Sequence, residues 1–370
     1  MKDIYITKAY LPPREEYARM LDRIWETHQI TNMGPFHKEF EKRLKDFLKV
    51  PYCMAFANGH LSLETAIQAL GLKGEVITTP FTFASTTHAI VRNGLTPVFC
   101  DIKRDNYTID PEKIEDLITE KTCAILPVHV YGQICDVERI REIADRHGLK
   151  VIYDAAHAFG EEKNGVGAGN FGDISIFSFH ATKPFNSIEG GAAVFSDYEV
   201  GVRLYQLKNF GFMGEDMVLG VGGNAKLSEF HAAMGLCNLE HYGEIEAGRK
   251  RVVSKYRERL AGIPGLHLLP PQENVRENFA YFPVLFDEKE FGAGREEIYA
   301  RLKGERIYAR RYFYPLTKDF PCYKSRFQDV HTPAAEYAAD HILTLPLYDS
   351  LEDSDVDRIC DIILRGNANE

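Results

Sequence analysis

The chain has 370 residues, of which 45% are hydrophobic and 26% charged, and its formal net charge is -10. That length and balance suit a soluble globular protein built as a large domain joined to a smaller one. The negative charge argues against a protein that grips nucleic acid through a basic surface, yet local basic groups can still meet an anionic ligand. The seven cysteines are scattered and form no CxxC pair, so neither a zinc site nor a disulfide framework is expected. The 13 histidines have no metal-ligand spacing, so no metal is expected. The start, Met1-Lys2-Asp3-Ile4-Tyr5, lacks the apolar stretch of a secretion signal. No run of about 18 apolar residues is present, so a cytoplasmic setting without membrane contact is expected.

In chain order, residues 14–28 and 36–48 read as amphipathic helices. In the second, Phe36, Phe40, Leu44, Phe47 and Leu48 recur at helical spacing. Between them Ile30-Thr31-Asn32-Met33-Gly34-Pro35 is a loop signal. From Cys53 onward short apolar runs begin to alternate with helical stretches: 53–57, 75–78, 96–100, 123–130, 151–153, 174–179 and 192–195. The clearest helix is Asp136 to His147, with Asp136 as N-cap and Gly148 just past its end. This alternation predicts an α/β fold with a mostly parallel, mixed central sheet flanked by helices. The last two strands follow one another without a helix, which predicts a hairpin-like connection. Residues 226–261 read as a long helix or kinked pair, and Pro264 to Pro271 as a boundary. Phe279 to Phe286, Glu296 to Leu302 and Ser354 to Leu364 read as parts of a small C-terminal α+β domain. The expected division is a large domain over 1–250, including the N-terminal helices, and a small one over 251–370.

The connection between the last two strands carries Lys183, in Ser178-Phe179-His180-Ala181-Thr182-Lys183-Pro184. Asp154 ends an earlier β-branched strand, and open α/β sheets bind ligands beyond their strand C-termini. Each residue alone is more often a surface lysine or a helix cap. Together they supply an amine able to form an imine and a carboxylate able to pair with a pyridine nitrogen, which pyridoxal phosphate chemistry requires. Ala57-Asn58-Gly59-His60 follows a strand and opens a helix, where backbone amides suit a phosphate; Ser178 adds a hydroxyl. Of Phe81 and Phe83, at least one is core, and Phe83 is favoured as the stacking face. Gly167-Ala168-Gly169-Asn170-Phe171-Gly172 matches GxGxxG but precedes a strand, so it reads as a turn and not as a dinucleotide fingerprint.

The segments 178–183, Asp154-Ala155-Ala156-His157, Val128-His129-Val130-Tyr131-Gly132 and Leu343-Thr344-Leu345-Pro346-Leu347 resemble the DegT-type sugar aminotransferases, which are fold-type I pyridoxal phosphate enzymes. The resemblance implies that Lys183 bonds the cofactor and shuttles the proton, and that Asp154 pairs with the ring nitrogen. His157, where the family often has glutamine, would contact the ring hydroxyl. Phe83 would stack on the ring. Gly59, Ser178 and His60, the last in place of a common threonine, would hold the phosphate. Asn224 would reach the phosphate of a neighbouring subunit, which implies a homodimer with shared sites. The implied substrates are a nucleotide-linked ketosugar and an amino donor, usually glutamate. Asn32-Met33-Gly34-Pro35-Phe36 and Arg310-Arg311-Tyr312-Phe313-Tyr314-Pro315 are similar to the 4-amino-4,6-dideoxyglucose branch, with Arg310 or Arg311 facing a diphosphate. Amination at C3, a non-catalytic pyridoxal phosphate-binding protein and a dinucleotide-dependent oxidoreductase are the rival readings.

Overall fold

The computed structural model describes residues 2–365. Its centre is a seven-stranded sheet whose strands are β1 (Tyr52–Phe56), β2 (Glu75–Thr78), β3 (Thr96–Phe99), β4 (Thr122–Ile125), β5 (Lys150–Asp154), β6 (Ile174–Ser178) and β7 (Gly191–Phe195). The order is β1-β7-β6-β5-β4-β2-β3, and β7 alone runs antiparallel to its neighbours. The β6–β7 pair is the expected hairpin-like unit, with Ser178 opposite Gly191 and Lys183 in the connection. All other strands therefore deliver their C-terminal ends to one edge of the sheet.

Successive strand residues point to opposite faces. Ala55, Ile77, Val151, Tyr153, Phe177, Ala192 and Val194 join one core, while Phe56, Val76, Ile152, Ile176, Ala193 and Phe195 join the other. The first core is covered by α2 (Pro35–Leu48), α5 (Val137–His147) and α7 (Glu229–Glu240), and α1 (Arg14–Thr27) packs on α7. The second is covered by α3 (Gly59–Ala69), α4 (Ala84–Arg92) and α6 (Tyr198–Lys208). In α2, Phe36, Phe40, Leu44 and Leu48 form one buried stripe, each worth roughly 1.5–3 kcal/mol of burial. Asp136 caps α5 by accepting from the Arg139 amide, and Gly148 ends it in the left-handed region at φ 65°.

The predicted strand over 123–130 is shorter in the structure, ending at Ile125. Pro127 has no amide to donate to a ladder, and the chain instead makes a single bridge between Val128 and Asp154 before a turn at Val130–Gly132. The 226–261 stretch is a pair, α7 and α8 (Tyr242–Leu260), broken at His241. The GxGxxG segment is a short strand end and a single turn, as read.

The second module holds a three-stranded antiparallel sheet, β8 (Leu266–Leu268), β9 (Phe282–Phe286) and β10 (Ile342–Leu345), with α9 (Arg295–Gly304), α10 (Pro333–His341) and α11 (Asp353–Leu364). Its core unites Val252, Tyr256 and Leu260 of α8 with Val284, Phe286, Ile298, Leu302 and Ile359. Residue 250 lies inside the unbroken α8, so one rigid helix bridges the expected division. Ile4 also belongs to this second core, because Ile4–Tyr5 pairs with Ile307–Tyr308. A two-residue strand leaves no periodicity in the sequence to reveal that pairing. No helix of the described residues is long and apolar enough to cross a membrane, and the seven cysteines are unpaired.

Candidate active site

A cavity of about 500 Å³ opens where the ends of β1, β5 and β6 meet the second module. Lys183, Asp154, His157, Phe83, Gly59, His60, Ser178, Arg310 and Tyr312 all line it, although their sequence positions span both modules.

The Lys183 amide donates to the His180 carbonyl at 2.8 Å, which folds the connection into a turn and aims the side chain inward. Its Nζ donates to Tyr281 Oη at 3.2 Å. Burial pulls the amine down to about 8, against the opposing pull of Asp154 and Tyr312. Asp154 is buried at the end of β5, where its Oδ2 accepts the Thr86 hydroxyl at 2.7 Å and its Oδ1 the Ala156 amide at 3.1 Å. Burial raises its carboxyl above the usual range, and those two donors and Lys183 restrain the rise. A cation placed beside it would therefore be strongly favoured.

His157 Nδ1 accepts the Tyr131 amide at 3.1 Å. Burial, then the Lys183 charge, holds the ring well below its ordinary pKa. The imidazole is thus neutral with its proton on Nε2, a donor. Its ring lies parallel to Phe313, with centroids 5.8 Å apart.

Asn58 caps α3 by accepting from the Leu61 amide at 2.9 Å, leaving the Gly59 and His60 amides without an acceptor among the described residues. A Cβ on Gly59 would stand 2.8 Å from Ser178 Cβ, so glycine lets the helix end close on β6. His60 Nδ1 meets Ser85 Oγ at 2.8 Å. Phe81 is fully buried, whereas Phe83, the N-cap residue of α4, is 59% exposed and presents its ring to the cavity.

Of the two arginines, Arg310 lines the cavity and has no ion-pair partner among the described residues. Arg311 pairs with Glu296 and lies 3.8 Å from the Tyr299 ring centroid, outside the lining. Asn32 and Gly34 are likewise not brought to the cavity of this chain. Their loop is fastened to α7 instead: Glu229 accepts the Phe36 and His37 amides at 2.7 and 3.1 Å, and a Cβ on Gly34 would meet that carboxylate at 2.7 Å. Asn224 is exposed beyond the 209–223 loop, bridged to Asn209, and also lies outside this cavity. Sequence reading missed Tyr281, Thr86 and Ser85. Each sits inside an ordinary apolar or helical stretch, and nothing in its spacing marks it.

The donor set fits pyridoxal phosphate: free helix amides with Ser178 for the phosphate, an exposed aromatic face for the ring, and a buried carboxylate for its nitrogen. Lys183 stands within the same cavity. Such needs are those of the lysine-dependent pyridoxal phosphate enzymes, and a mostly parallel sheet with a C-terminal α+β module is the architecture of their aminotransferases. The chain belongs to the DegT/DnrJ/EryC1/StrS aminotransferase family, whose profile matches residues 13–364, and it is a pyridoxal phosphate-dependent sugar aminotransferase. It is 44% identical over 350 residues to the dTDP-4-amino-4,6-dideoxy-D-glucose transaminase of Shigella dysenteriae, with 95% of each chain covered. The structure of DesI in the presence of its TDP-sugar product superposes with a TM-score of 0.94 at 36% identity, covering 99% of this chain and 94% of that one. NtdA from Bacillus subtilis with bound cofactor PMP gives a TM-score of 0.85 at 28% identity, covering 94% and 80%.

Proposed function

We propose that this enzyme transfers an amino group from glutamate to C4 of a nucleotide-linked 4-keto-6-deoxyhexose, yielding the 4-amino sugar and 2-oxoglutarate. The likeness to a transaminase named for dTDP-4-amino-4,6-dideoxy-D-glucose supports the carbon and the sugar class. The observation that carries the reading is the Lys183 amine, lowered to about 8, in one cavity with Asp154 and with Arg310, which has no ion-pair partner among the described residues.

Pyridoxal phosphate, when bound, would supply a carrier for the amino group and a sink for the electron pair left on the deprotonated carbon. Everything else falls to side chains of this protein. Lys183 Nζ, partly neutral near pH 8, removes a proton from Cα of the amino donor and works in reverse at C4 of the sugar. Asp154 would hold the ring nitrogen in its protonated form, and His157 Nε2–H would serve as donor to the ring hydroxyl. The Gly59 and His60 amides with Ser178 would hold the phosphate, and Phe83 would cover a ring face and exclude water. Arg310 pairs with the diphosphate, where a planar guanidinium suits two oxyanions.

The exposed Met217, Val218, Leu219 and Val221 next to Asn224 support a homodimer in which Asn224 completes the partner's phosphate site. A cytoplasmic setting fits an enzyme with free cysteines. The test is incubation with 15N-glutamate and a panel of dTDP-, UDP- and GDP-linked ketosugars, with product analysis by mass spectrometry and NMR. Nitrogen at C4 is expected; nitrogen at C3, or no transfer to any 4-keto sugar, overturns the reading.

A further inference from the structure

Among the described residues, Tyr281 is the side chain that hydrogen-bonds the Lys183 amine, at 3.2 Å from Nζ to Oη. Its ring stands 4.7 Å from the His157 ring, centroid to centroid. Tyr281 comes from the second module, one residue before β9, and its segment is clamped from two sides. The buried Arg249 of α8 donates from Nε to the Phe279 carbonyl at 2.8 Å and from Nη2 to the Ala280 carbonyl at 2.7 Å. Asn278 Nδ2 donates to the His157 and Phe159 carbonyls at 2.8 and 3.0 Å. Residues 278–281 therefore tie the second module to the same chain turn that presents His157.

A lysine side chain has four rotatable carbons and no shape of its own. Proton transfer needs the reacting nitrogen held near its target, and an unanchored amine loses that advantage. Burial keeps the Tyr281 phenol protonated, its pKa pushed far up, so Oη retains a lone pair for an N–H donor. We propose that Tyr281 is a second catalytic side chain, whose hydroxyl accepts an N–H from the free Lys183 amine and holds Nζ in the cavity between taking up a proton and delivering it, with Arg249 and Asn278 as its positioning residues. The proposal rests on the reading of Lys183 as the reacting amine. An ammonium donor makes a stronger bond to Oη than a neutral amine does, so Tyr281 also favours the charged amine and opposes the effect of burial.

Tyr281→Phe keeps the ring against His157 and removes Oη alone. In the cofactor-free full chain, competitive acetylation by acetic anhydride, read by mass spectrometry on the Lys183 peptide, gives that amine's titration midpoint. It is expected to fall by about half a pH unit or more in Tyr281→Phe. In the holoenzyme kcat is expected to drop about 10- to 100-fold, with KM for the nucleotide sugar within about 2-fold. A residue that merely packs would leave the midpoint where it was. Arg249→Lys loses the paired grip on the two carbonyls and is expected to shift the midpoint in the same direction by less. A Tyr281→Phe midpoint that is unmoved or raised, or unchanged turnover, overturns the role of the hydroxyl; a parental midpoint in Arg249→Lys overturns its positioning role. Full turnover by Lys183→Ala is a separate result that defeats the lysine assignment itself.

Discussion

Thr86 donates its hydroxyl to Asp154 Oδ2 at 2.7 Å, joining the first turn of α4 to the end of β5. Thr82 Oγ1 lies 2.8 Å from Thr86 Oγ1, and since the Thr86 proton is committed to the carboxylate, Thr82 is the donor in that pair. This hydroxyl chain supports the ionised form of a carboxylate that burial pushes toward neutrality. Thr86→Val is therefore expected to raise the Asp154 pKa further and weaken pyridoxal phosphate binding about tenfold, as for loss of a bond to a charged group. Absorbance titration of the cofactor-free protein checks it.

Lys183 is a base only when neutral, and burial brings that change to about pH 8. Stopped-flow measurement of the glutamate half-reaction, followed by loss of the cofactor's visible absorbance, is expected to slow below pH 8. The fall should approach about tenfold per pH unit. Lys183→Ala is expected to lose both that absorbance and transamination.

Arg310 and Arg311 are adjacent in sequence, but of the two only Arg310 lines the cavity that holds Lys183. Arg310→Ala is expected to raise KM for the nucleotide sugar by about 30-fold, as for loss of a charge-assisted bond to a diphosphate. Arg311, committed to Glu296 and Tyr299, is expected to change KM by less than about 2-fold when replaced by alanine. Steady-state kinetics of the two variants separates them.

Away from the cavity, Lys208 Nζ donates to Glu41 Oε1 and to the Ala55 carbonyl, both at 3.1 Å, pinning α2, β1 and α6 together. Burial would raise the Glu41 carboxyl, but Lys208, His37 and the Ala55 amide overrule it and hold it at about 2, below the ordinary 4.5. A carboxyl depressed by folding stabilises the protein above its unfolded pKa, and this contribution fades as pH falls from about 4.5 to about 2. Lys208→Met removes the lysine charge and leaves the carboxylate to His37 and the Ala55 amide. It is expected to cost about 3 kcal/mol at neutral pH and to move the acid-unfolding midpoint upward, as read by circular dichroism.

If Asn224 serves the partner's site, an inactive Lys183→Ala protein and a weakened Asn224→Ala protein complement each other. A mixed dimer holds one site with Lys183 from one subunit and Asn224 from the other. Mixing after dissociation is expected to give more activity than the sum of the two preparations; strict additivity rejects the shared site.

The central sheet was legible because its strands are short apolar runs separated by capped amphipathic helices, and Asp136 with Gly148 marked α5 almost to the residue. Lys183 and Asp154 stood out in the sequence because each lies at or after the end of a buried strand, where a charged group needs a reason, and the structure brings both to one cavity. Phe81 lies in the core, whereas Phe83 is exposed at the cavity. The Ile4–Tyr5 strand was not legible, since two residues carry no period. Nor was the fate of Asn32 and Gly34, because the grip of Glu229 on their loop comes from almost two hundred residues downstream.

The order of apolar and polar residues by itself determined the layered α/β sheet and the hairpin bearing Lys183, because strand and helix periods are local properties; the cofactor was read from the chemistry of Lys183 and Asp154 and from the family resemblance of their segments. Which arginine faces the cavity and which phenol touches the lysine amine were decided only when two modules packed together, and which hydroxyl supports Asp154 only when α4 packed against the central sheet. Those contacts join residues far apart along the chain, and their energy depends on burial and distance, neither of which exists before the chain has folded.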